Sequence, residues 1–130
     1  MTILKTYARL WADDLDATLP LLRRLTGTEP DLLFAFASLE LAAIGDFLVI
    51  AGPLAAREPF THASTTVVVD DLDETRRLVL ADGGTITTPE ATSETGRFLY
   101  ARHAGGAEVE YVEWRPEVRI RVLGRRAREV

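Results

Sequence analysis

The chain has 130 residues, 47% of them hydrophobic, a formal net charge of −5 and no cysteine. That size and apolar content suit one compact domain, and the lack of cysteine excludes disulfides, thiolate nucleophiles and cysteine-bound zinc. No apolar window of about 18 residues and no secretory h-region point to a cytoplasmic protein without a membrane span, and the acidic balance argues against nucleic acid as a partner.

In chain order, residues 3–11 read as a strand with Tyr7, Arg9 and Trp11 on one face and Ala8 and Leu10 on the other. Asp13 or Asp14 is placed to cap a following helix, whose apolar stripe runs through Leu15, Leu19, Leu22 and Leu25 to a stop at Gly27. Pro20 inside it predicts a kink or a late start. Residues 32–51 are almost all apolar and too long for one strand. Breaks near Ser38 and at Gly45-Asp46 divide them into three strands, with a buried helix as the competing reading of residues 39–44. Residues 53–62, which carry two prolines, read as a linker.

The same order then repeats. A β-branched run before Asp70, an Asp71 N-cap, an inward face of Leu72, Thr75, Leu78 and Val79, and a stop at Gly83-Gly84 precede three strands at residues 85–88, 97–102 and 108–114. Two Asp-Asp-Leu-Asp tetrapeptides begin the two helices, at Asp13 and Asp70, so the chain reads as a duplicated module. Module one covers about 3–52, module two about 63–115, and a tail 116–130. In that tail the alternation of Val118, Ile120 and Val122 with arginines predicts a short extra strand, and the basic residues 125–128 a solvated end.

A strand running into an Asp-Leu-Asp helix start, a glycine at the helix end, and a final glycine-turned hairpin leading to Glu110 resemble the vicinal oxygen chelate superfamily, which includes glyoxalase I, bleomycin-resistance proteins and extradiol dioxygenases. The resemblance covers roughly residues 4–114. It implies an α+β fold of two βαβββ modules, with curled mixed sheets around a shared cavity, helices on the outer face, and usually a homodimer. In metalloenzymes of this superfamily the first and last strands of each module carry the metal ligands. The matching positions here are Tyr7 and Ser64 on the first strands, Glu110 on one last strand, and Val49 or Ile50 on the other. A divalent ion wants three or four N or O donors, and of these positions only Glu110 clearly qualifies, so no metal and no cofactor are expected.

The site expected from these residues is a ring-lined pocket. Tyr7, Arg9, Trp11, Phe36, Phe47, Ser64, Phe98, Tyr100, Arg102 and Glu110 are its candidate ligand contacts, with Glu110 and His62 as candidate catalytic groups. The plain alternatives are that Glu110 is one more alternating polar residue beside Glu108 and Glu113, that the aromatics fill the core, and that His62 and the turn residue His103 are solvated. The leading function is a metal-independent protein that binds and sequesters an aromatic or cationic small molecule such as an antibiotic. The alternative is a lyase, isomerase or dioxygenase of the same superfamily, working around Glu110.

Overall fold

The computed structural model describes residues 1–124, so the basic run 125–128 lies outside the described residues. The fold is α+β and repeats one βαβββ order twice. By the density of its contacts the chain divides into two compact units, Tyr7–His62 and a second made of Met1–Thr6 with the described residues from Ala63 onward.

The amino-terminal unit holds most of β1 (Ile3–Ala12), α1 (Leu15–Thr26), β2 (Leu32–Phe36), β3 (Leu39–Ile44) and β4 (Phe47–Ala51). Asp14 begins α1, its carboxylate accepting from the Asp16 N–H at 3.2 Å. Gly27 ends it with φ of 69°, a left-handed cap open to glycine at little cost. The helix starts at Leu15 and contains Pro20, so no late start occurs. Leu15, Leu19 and Leu22 are buried against Ala42, Ile44, Val49 and Ala51, whereas Leu25, expected on that stripe, is exposed. The strands lie in the order β2-β3-β4-β1, with β1 and β4 parallel and the other pairs antiparallel. Residues 39–44 are therefore strand, and the breaks fall at Ala37-Ser38 and Gly45-Asp46. Residues 53–62 are not a plain linker: they form α2 (Leu54–Arg57) and a 3₁₀ turn at Glu58–Phe60.

In the carboxy-terminal unit, β5 (Thr65–Val69), α3 (Leu72–Ala81), β6 (Thr85–Thr92), β7 (Gly96–Arg102) and β8 (Glu108–Trp114) follow in turn. The strand order is β5-β8-β7-β6, β5 running parallel to β8. Asp71 caps α3 by accepting from the Glu74 N–H at 2.9 Å. A second acceptor comes from the sheet: Glu113 takes the Leu72 N–H at 2.9 Å and the Arg97 guanidinium at 3.0 Å. Leu72 of α3 is buried in one cluster with Val67, Val69, Leu99, Ala101 and Tyr111 of the sheet. Leu78, expected to face inward, is half exposed.

After β8 the expected strand is absent. Pro116 opens a short helix, α4 (Pro116–Arg119), which passes into a π-helical turn at Ile120–Gly124. Val118 and Val122 are buried and Ile120 is 63% exposed, a spacing of four rather than two.

Gly96 tests the β7–β8 register. It has φ of 153°, and a Cβ there would stand 2.1 Å from the Glu113 carbonyl oxygen. Gly96→Ala is expected to cost about 2–4 kcal/mol, from a strained φ combined with a backbone collision, and to lower the midpoint of chemical denaturation accordingly.

Candidate functional site

Each sheet has one face under its helix and one face turned away. In the amino-terminal unit the second face is set by register: Arg9 pairs with Leu48, Trp11 with Ile50, Ile50 with Leu41, Leu41 with Phe34, and Leu39 with Phe36. Trp11, Phe34 and Phe36 thus share an apolar face with Leu41 and Ile50. Phe60, from the 3₁₀ turn, meets Phe36 edge to face, with ring centroids 6.0 Å apart and planes at 74°. Arg9 is only 7% exposed; its guanidinium carbon lies 5.7 Å from the centre of the Trp11 ring, and Nη1 donates to the Phe60 carbonyl oxygen at 3.1 Å. Trp11, Phe34, Phe36 and Phe60 are half-buried, so ring surface stays accessible.

In the carboxy-terminal unit the face away from α3 carries Thr66, Phe98, Tyr100 and Glu110. Thr66 and Glu110 are register partners, as are Tyr100 and Glu110, and the Thr66 hydroxyl bonds the Glu110 Oε1 at 2.7 Å. Glu110 is half-buried, Thr66 buried. A carboxylate held this way has one fixed oxygen and a defined orientation. Phe98 and Tyr100 pack edge to face at 6.2 Å and are themselves buried.

The structure sorts the remaining candidates by face and exposure. Phe47 pairs with Ala8 and packs in the core beneath α1, on the opposite face from Trp11. Ser64 is exposed and precedes β5; Thr66, one strand repeat later, holds Glu110 instead. His62 is exposed, Tyr7 is buried, and Arg102 pairs with Glu108 at 2.6 Å. His103 is half-buried rather than solvated: Nε2 lies 2.7 Å from the Tyr111 hydroxyl and the two rings stack. Burial raises the Tyr111 pKa above the ordinary phenol value. Along β6, β7 and the start of α3, Arg76 and Arg97 bridge Asp73, Glu90 and Glu113, and the Arg76 hydrogen bond, then the Arg97 charge, hold the Asp73 carboxyl below the usual range.

Three of these residues, Phe34, Phe60 and Thr66, are missing from the candidate contacts read from the sequence. Phe60 stands in an irregular proline-containing segment. Thr66 carried a signal, since it shares the strand face of Ser64 two residues on. Among the described residues no three His, Asp or Glu side chains group closely enough to hold a metal ion, and Val49 and Ile50 offer no donor.

Neither a protein-family model nor a curated protein matches this chain. Among solved structures, an uncharacterised protein from Methanosarcina mazei superposes with a TM-score of 0.80 at 33% identity, over 88% of this chain and 95% of that one. The chain belongs to that protein's family. Methylmalonyl-CoA epimerase from Mycobacterium tuberculosis gives 0.65 at 16% identity over 86% and 88% of the two chains. A hypothetical protein from Bacillus halodurans C-125 gives 0.69 at 12% over 88% and 96%. At those identities the likeness is one of fold, and the fold is that of the vicinal oxygen chelate superfamily.

Thr66→Val keeps the strand shape and removes one donor to a half-buried carboxylate. It is expected to lower stability by about 1–2 kcal/mol, and Thr66→Ser to recover most of the loss, both read by denaturant titration.

Proposed function

We propose that this member of the family binds a small, flat organic molecule without a metal, in the manner of the bleomycin-resistance proteins that share its fold class. The observation that carries the reading is the half-buried row of Trp11, Phe34 and Phe36 on the sheet face away from α1. Accessible rings over an apolar floor of Leu41 and Ile50 favour stacking on a planar ligand and impose little hydrogen-bond selectivity. A metal-free reading is favoured because, among the described residues, no three His, Asp or Glu side chains come together as the donor set a divalent ion wants. An aromatic or cationic compound, an antibiotic among them, fits this chemistry. The reading includes the homodimer and the cytoplasmic setting expected from the sequence.

A second reading, an acid–base enzyme, draws on Glu110. Its carboxylate is oriented by Thr66, and the fold neighbours include methylmalonyl-CoA epimerases. Proton transfer next to a carbonyl needs a positioned base of this kind.

A melting-shift screen of planar aromatic and cationic compounds, followed by calorimetry, separates the two. The binding reading predicts a compound that raises the melting temperature, with affinity reduced about tenfold or more in Trp11→Ala. It also predicts that this compound leaves the protein chemically unchanged. Turnover of an acyl substrate that is lost in Glu110→Gln and kept in Trp11→Ala would put the enzyme reading in its place.

A further inference from the structure

We infer that residues 53–62 form a strap that opens locally, and that Phe60 occupies the place of an aromatic ligand ring while it is closed; the second part rests on the small-molecule reading above. Phe60 touches residues of both β1 and β2. Its carbonyl oxygen accepts from Arg9 on β1, and its ring meets Phe36 on β2. In the order β2-β3-β4-β1 those strands stand at opposite ends, so the turn at Glu58–Phe60 lies across the face that carries Trp11, Ile50, Leu41 and Phe34. A protein side chain stacked there makes the contact that a planar ligand would make.

The strap is fastened at identifiable points. Arg57, 7% exposed, places Nη2 2.7 Å from the Asp13 carboxylate in the turn between β1 and α1, and Arg9 supplies the second fastening. Within the strap, Ala56 and Arg57 donate to the Pro53 carbonyl and Thr61 to that of Glu58, so these amides are bonded inside the segment and lose protection when it opens locally. Its outer side is open to solvent. Leu54 is 75% exposed, and Leu54, Arg57, Glu58 and Thr61 line a pocket of about 250 Å³. Gly52 marks one end, with φ of 154° and its Cβ position 2.9 Å from Leu39 Cδ2, a conformation and a fit reserved for glycine. A short, largely exposed segment fastened at Arg57 and Arg9 belongs to the low-stability end of a fold.

Amide hydrogen exchange on the full chain tests the opening. The amides of Ala56, Arg57 and Thr61 are expected to exchange at least about tenfold faster than those of β4, and Asp13→Asn to speed them about tenfold more while β4 is unchanged. Exchange of strap and β4 at one common rate, or no response to Asp13→Asn, overturns the strap. For the ring, 9-aminoacridine is the probe: Phe60→Ala is expected to bind it about tenfold more tightly than the parent chain. Equal or weaker binding by Phe60→Ala overturns the stand-in role. Local opening with no binding to either protein defeats the small-molecule reading and leaves the opening established.

Discussion

The alternation of side chains along each strand is the constraint on which the rest depends. One helix covers one face of each sheet, and the period of two sends every second residue to the other face. In the amino-terminal unit this assigns Leu10, Ala12, Val49 and Ala51 to the core under α1 and leaves Arg9, Trp11, Leu48 and Ile50 opposite. In the carboxy-terminal unit it assigns Val67, Leu99 and Tyr111 to the core and leaves Thr66, Tyr100 and Glu110 opposite. The candidate groups are therefore products of register, and a slip of one residue would turn them toward the helices and send the core residues to the other face.

Helix placement keeps that register. Asp14 and Asp71 each satisfy a first-turn N–H, and Glu113 adds an acceptor from β8 to Leu72 at the start of α3. Arg97 bonds Glu113 and Glu90 while lying close to Asp73, so the helix start is tied to the same strands that carry Glu110 and Tyr100 on their other face. Such exposed pairs contribute little singly.

How much of this was legible in the sequence follows from how regular each segment is. The second module declared itself through Thr65 to Val69, the Asp71 cap and Gly83, because each signal is local and they agree. The Arg9 and Trp11 face followed from simple parity. Phe47 did not, because its face depends on which β1 residue it pairs with, and pairing with Ala8 turns it toward α1. Residues 118–122 alternate like a strand, yet Pro116 fits a first helical turn and the buried pair is Val118 and Val122. Residues 53–62 were opaque: a four-residue helix and a three-residue turn are too short to show a period, so the role of Phe60 emerges only from its contacts with Arg9 and Phe36.

The proposed binding function rests on the rings Trp11, Phe34 and Phe36 of the amino-terminal unit and calls for no metal. The most direct measurement is elemental analysis of the purified full chain after incubation with iron, zinc, nickel and manganese and removal of unbound ion. The account predicts well below one equivalent of any metal per chain and the same amount in Glu110→Gln. One equivalent bound by the parent chain and lost in Glu110→Gln would contradict it and make Glu110 a metal ligand.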